Sequence, residues 1–456
     1  MPPRSPRRPA ATRCLAGLCA TVLGADSLFG QTVEVPPLPA AVASVPAVPA
    51  VTATLQEPPK NGTAEPTKPT VTSETKLSLA ECIAIGLERQ PNLKAAQHSL
   101  AATELGRQAL NNLRKGTALL SPDIPIRKQQ ADRGVAVACA EVQKVHNETV
   151  YDITRMYYTF IYARQQEQTA TDVIAPLEVF KKFIEDILKS GVVDPKVKVT
   201  QFSLYAIQDV IFEVRKQRVA ASSGQKASLQ ALKEAMGVDP SFDFVPKDTE
   251  LPIMAGDITQ DSVVEMALSR RPELVQAAAG VDAFRLEIAA QDKIRTRQIV
   301  PTLGAGSDLH ARSVPIAVRN GEYKPGALSP EMPTNLVGKR DDRVARATEY
   351  SLRQDALYEK TLNLVRLEAI NSFLTWESTN ERMKEAKARF DNARKQVEDA
   401  RKAQAARQDP EFVIRTEALA GKAQAEYVEA VYEHLKALAT LERVTAGGVR
   451  PAFPGR

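Results

Sequence analysis

Histidine, cysteine and the carboxylates are among the side chains of this 456-residue chain able to hold a metal, move a proton or supply a nucleophile. Their spacing speaks against all three. His98, His146, His310 and His434 stand far apart, and none lies at metal-ligand spacing from another or from a cysteine. No HExxH, phosphate-binding Gly-rich loop, GxGxxG or G-x-S-x-G occurs. The carboxylates alternate with Lys and Arg, as in ERMKEAKARFDNARKQVEDARK, the pattern of a solvated helix face. The sequence therefore predicts no enzyme, no metal and no other cofactor. Two acids stand out by context. Asp194-Pro195 and Asp409-Pro410 lie 215 positions apart, and Asp-Pro is first of all a turn former.

The turns separate long helical patterns. In TNERMKEAKARFDNARKQVEDARKAQ, Met383, Ala386, Phe390, Ala393, Val397, Ala400 and Ala403 or Gln404 step by three and four. That is the 3.5-residue seam of a supercoiled helix. After Pro410 the pattern resumes through Ala423, Tyr427, Leu435, Leu438 and Leu441. The first half predicts the same pair of helices from Val142 to Lys189 and from Val197 to Ala235. Fifty helical residues measure roughly 75 Å, more than a globular domain needs.

Upstream of each pair stands a second matched feature. LERQPNL at 87–93 and LSRRPEL at 268–274 are 181 positions apart. Ser78 with Glu81 forms a capping box, and Thr259 caps the counterpart helix. Pro91 and Pro272 each stop one helix and open the next. Two repeats follow, 76–238 and 257–447, joined by 239–256 and followed by a tail at 448–456. The offset rises from 181 to 215, so the second repeat holds 34 extra residues between its early and late parts.

Residues 1–30 read as an export signal. Arg4, Arg7, Arg8 and Arg13 precede the apolar run CLAGLCATVLGA and a cleavage zone near Gly30. Residues 31–75 are a Pro/Ala/Val-rich linker with no helical or strand period. Removing 1–30 lowers the formal charge from +5 to +2, which gives no electrostatic case for nucleic acid. Cys82 and Cys139 survive cleavage, either as a disulfide or as two free thiols.

This exported, twice-repeated run of long helices, opening with LSLAECIAIGLERQPNLKAA and closing with LATLERVTAGG, resembles the TolC-like outer membrane efflux family over residues 77–447. The resemblance implies a mainly α fold: two tandem repeats of long coiled-coil hairpins forming an α-barrel in a homotrimer. It implies a passive conduit in the outer membrane and periplasm of a two-membrane bacterium, docked on a periplasmic adaptor (membrane fusion) protein and an inner-membrane transporter. It places Asp194 and Asp409 at the periplasmic tips, where a ring of acids would narrow the pore entrance. It makes Ser190, Gly191, Val192, Pro195 and Pro410 the adaptor contacts. Each half should also send a β-hairpin into outer membrane lipid, near 113–127 and 299–340. A spanning strand needs ~10 alternating residues. The first site is too short for two, and the second carries Pro301, Pro315, Pro325, Pro330 and Pro333. A reduced or absent β-barrel is the expectation, and a non-conducting periplasmic coiled-coil scaffold is the alternative.

Overall fold

The computed structural model describes residues 75–113, 121–190, 200–254, 256–294, 338–407 and 410–453, with the side chains of 403–414 outside the described set. The predicted signal segment and most of the linker lie outside it as well. Among the described residues the order is β1 (Thr75–Leu77), α1 (Leu79–Arg89), α2 (Pro91–Asn111), α3 (Ile124–Ser190), α4 (Gln201–Ala235), β2 (Phe244–Pro246), α5 (Gln260–Arg270), α6 (Pro272–Lys293), α7 (Arg340–Arg407) and α8 (Pro410–Val444). Helix lengths run 11, 21, 67 and 35 residues in the first half and 11, 22, 68 and 35 in the second.

Local chemistry sets the starts. Ser78 and Glu81 close the capping box, with Ser78 N donating to Glu81 Oε2 at 2.7 Å and Glu81 N to Ser78 Oγ at 3.4 Å. Thr259 Oγ1 accepts from Ser262 N at 3.4 Å. Pro91 and Pro272 occupy first-turn positions, where a missing N–H costs nothing.

Two boundaries differ from expectation. α3 begins at Ile124, well ahead of Val142, because Pro125 falls in its first turn and so does not interrupt it. α4 begins at Gln201 and not at Val197, because Thr200 supplies the cap by accepting from Ser203 N at 3.3 Å. Each of the longest helices therefore measures roughly 100 Å.

The seam in α7 is as the periodicity predicts. Met383, Ala386, Phe390, Ala393, Val397 and Ala400 are shielded, while the residues between them are exposed. α3 carries α2 and α6 on its N-terminal part and α4 and α8 on its C-terminal part. α7 packs on α6 and α8. The neighbour order is thus α2–α3–α6–α7 toward one end and α4–α3–α8–α7 toward the other.

Midway lies the main core, where α1, the β1–β2 pair, α5 and the residues after α8 close over the centres of α3 and α7. β1 and β2 pair in parallel, Thr75 opposite Phe244 and Leu77 opposite Pro246. A second, smaller core of Leu177, Ile184, Leu204, Ile207 and Ile211 fills the α3–α4 hairpin.

Candidate functional site: the matched hinges and the helix ends

The residue before each hinge proline is buried and polar. In the first half Gln90 donates from Nε2 to Ala235 O at 2.8 Å and to Glu234 O at 3.2 Å. It satisfies carbonyls that the end of α4 leaves without partners. Gly237 follows with φ +65°, pressed so close that an added Cβ would stand 2.7 Å from Gln90 Cα. In the second half Arg271 donates from Nη1 to Val444 O at 3.4 Å, at the end of α8. Each hinge therefore fastens the first long helix of its half to the last turn of its closing helix.

The second hinge adds charge. Arg271 donates to Glu273 through Nε and Nη2, both at 2.9 Å, and its Nη1 stands 2.8 Å from Glu368 Oε2. Arg443 Nη2 reaches the other Glu368 oxygen at 2.8 Å, and its guanidinium lies over the Tyr151 ring at 5.3 Å. Two buried cations and two buried anions balance. Desolvation is the largest influence on Arg271 and opposes its charge, but Glu273 and Glu368 outweigh it and raise its pKa.

A second polar cluster joins α3, α6 and α7 where the sequence leaves the helical body. Arg127 forms a buried double contact with Glu287, and Gln130 Nε2 donates to Ala283 O at 3.0 Å. Arg343 donates to Gln291 Oε1 at 3.0 Å and to Ile294 O at 2.6 Å, capping the end of α6. Only residues 112–123 lie between α2 and α3, whereas 294–339 lie between α6 and α7. Twelve residues are too few for two spanning strands of ~10 each.

Of the predicted tip residues, Gly191, Val192, Asp194, Pro195 and Asp409 lie outside the described residues. Ser190 is the exposed last residue of α3, its Oγ donating to Ile187 O at 2.8 Å. Pro410 is the first residue of α8. Cys82 and Cys139 are both free, the first buried and the second exposed. Sequence reading missed Gln90, Arg271, Glu368, Arg127 and Glu287 as interacting groups. For Gln90 and Arg271 a signal existed, since both are the residue before a repeated proline. Among the described residues no cluster of three metal-ligating side chains occurs.

No protein-family model matches the chain, and no curated protein matches it. Solved structures do. The open-state MtrE outer membrane channel of Neisseria gonorrhoeae is 12% identical with a TM-score of 0.61, over 84% of this chain and 94% of that one. The CmeC outer membrane channel of Campylobacter jejuni is 11% identical with a TM-score of 0.62, over 87% and 95%. The outer membrane protein VceC of Vibrio cholerae is 13% identical with a TM-score of 0.60, over 82% and 97%. The fold is therefore that of the TolC-like outer membrane channels, mainly α and built from paired long coiled-coil helices.

Proposed function

We propose that this protein is the channel-type component of a tripartite efflux or type I secretion system in the cell envelope of a two-membrane bacterium. It would act as a passive conduit in outer membrane and periplasm, assembled as a homotrimer. A periplasmic adaptor and an inner-membrane transporter would supply specificity and energy. The observation that carries this reading is the doubled set of four helices, 11, 21, 67 and 35 residues followed by 11, 22, 68 and 35, in the fold shared with MtrE, CmeC and VceC. The buried Arg271–Glu368 and Arg127–Glu287 pairs support a rigid frame and give no sign of a reactive cleft. At the far helix ends, Asp194 and Asp409 would form the acidic entrance, a ring that favours cations. Ser190, Gly191, Val192, Pro195 and Pro410 would meet the adaptor.

A second reading is favoured by the twelve-residue interval 112–123. With at most one spanning hairpin per copy, three copies reach six strands, fewer than the eight of the smallest outer-membrane barrels. On this reading the chain is a non-conducting periplasmic scaffold. Fractionation of cells expressing the full chain separates the two. The channel reading expects the mature protein in the outer membrane fraction after high-salt and carbonate washes. Release with the soluble periplasm would overturn it in favour of the scaffold.

A further inference from the structure

The segment between the repeats runs from β2 to α5 and is held at both ends. At its start Lys247 N donates to Leu77 O at 2.8 Å, and Tyr157 OH donates to Asp248 Oδ2 at 2.9 Å. At its far end Thr259 caps α5. Its middle reaches α8, where Met254 O meets His434 Nε2 at 3.1 Å, and Leu251 three residues earlier is buried.

That bond fixes the tautomer of the ring. A carbonyl only accepts, so the neutral imidazole carries its proton on Nε2 and leaves Nδ1 as a bare acceptor. His434 is 1% exposed, and among the described residues nothing bonds its Nδ1. Beside it, on α7, Trp376 is 6% exposed, and its indole Nε1–H is likewise without a partner among the described residues. The two rings are neighbours, with centroids 6.4 Å apart and planes tilted by 37°. One orphan donor thus accompanies one orphan acceptor. A single water satisfies both, accepting from the indole and donating to Nδ1.

The same place does not suit an imidazolium. The charged side chains of the surrounding elements are engaged elsewhere or turned to solvent. On α8 Glu433 pairs with Lys436 at 2.8 Å, and Tyr432 turns to Tyr162 and Thr159 of α3. Glu377 and Glu381 on α7 are exposed, as are Asp261 and Glu265 on α5 and Glu250 and Asp257 between the repeats. Burial and the Met254 bond are the influences on the ring, and burial, which disfavours its charge, is the larger. The first repeat lacks this arrangement. The helix-closing bonds Val238 N to Lys233 O and Gly447 N to Glu442 O are 209 positions apart. In that register Gln225 matches His434, and at the 215 offset Ile161 matches Trp376. Neither counterpart titrates.

We propose that Met254, His434 and Trp376 form an acid-released latch on the segment between the repeats. At neutral pH one buried water joins Trp376 Nε1–H to His434 Nδ1, while Nε2–H holds Met254 O. In acid, Nδ1 takes one proton from solvent and no longer accepts from the water. The buried cation then gains hydration by lifting residues 251–254 off α8. These residues are the non-helical cover of the ring, so they open at less cost than a helix. With Gln225 and Ile161 in the matching places, the first repeat has no such response. The latch does not depend on conduction.

Trp376 is the one tryptophan of the chain, so its fluorescence reports on the latch directly. The full chain is titrated from about pH 8 to about pH 5, and acrylamide quenching of the tryptophan emission is read alongside far-ultraviolet circular dichroism. The expected result is a reversible, one-proton rise in quenching, several-fold in all, with its midpoint below that of a free histidine and with no loss of helix. His434→Gln should stay at the low, neutral-pH level throughout. Quenching that does not change with pH, that changes equally in His434→Gln, or that rises only as helix is lost overturns the latch. If His434→Gln does not fold, the unmodified chain decides: a step that takes up more than one proton, or that does not reverse at neutral pH, overturns it. Resonance Raman of the indole N–H at neutral pH tests the water. A hydrogen-bonded indole is expected, and a free one overturns the bridge.

Discussion

Gln90 and Arg271 stand at the same position in the two halves, one residue before the hinge proline, and each donates to the closing helix of its own half. Gln90 Nε2 lies 2.8 Å from Ala235 O and Arg271 Nη1 lies 3.4 Å from Val444 O. One structural task is thus performed twice, once by a neutral amide and once by a cation that draws Glu273, Glu368 and Arg443 into a buried network.

The difference in charge predicts a difference in cost. Arg271→Ala leaves Glu273 and Glu368 short of a buried partner and should lose about 3–5 kcal/mol. Gln90→Ala leaves two helix-end carbonyls without donors and should lose about 1–3 kcal/mol. Urea unfolding of both variants checks the order. A Gln90 loss equal to or larger than the Arg271 loss would contradict it.

The crossing of α3 and α8 at Val173 and Gly421 predicts a coupled pair. Gly421→Ala drives a methyl into the Val173 side chain and should cost about 1–3 kcal/mol. Val173→Ala opens the same space, so the double variant should recover much of the loss. Strictly additive losses in the double-mutant cycle would show that the two residues do not meet.

His434 predicts an acid-side loss of stability. It is 1% exposed, its Nε2 bonds Met254 O at 3.1 Å, and burial lowers its pKa below 6.5 with that bond only partly opposing. The folded state therefore disfavours the proton while the unfolded chain accepts it near 6.5. Stability present above that pH falls as the pH drops through 6.5 toward the folded value, by at most about 1.4 kcal/mol per pH unit. His434→Gln keeps an N–H donor and cannot titrate, so its stability between pH 6.5 and 5 should be flatter. An unchanged slope would assign the effect to another group.

The two thiols should differ in reactivity. Burial, with Glu81 and Asp248 nearby, pushes the Cys82 thiol up to about 12, while Cys139 is exposed. Maleimide should label one cysteine in the folded chain lacking residues 1–30 and two after denaturation. No labelling without reductant would indicate a disulfide instead.

Much of the fold was legible because its signals are local. The capping box, the two hinge prolines and the alanine-rich seam are read from neighbours within a turn or two, and each is where the sequence puts it. The start of α3 was hidden because proline in a first turn looks the same, in sequence, as proline that breaks a helix. The polar pairs were not legible. Arg127 and Glu287 are 160 positions apart, and His434 and Met254 are 180 apart. Only the packing of α3 on α6 and the path of the residues before α5 bring these groups together.

The central claim is that copies of this chain assemble into a conduit, and planar-bilayer recording of the mature assembled protein tests it most directly. The account predicts stepwise conductance that tracks the three-copy species. A stable three-copy assembly that never produces a conductance step would contradict it.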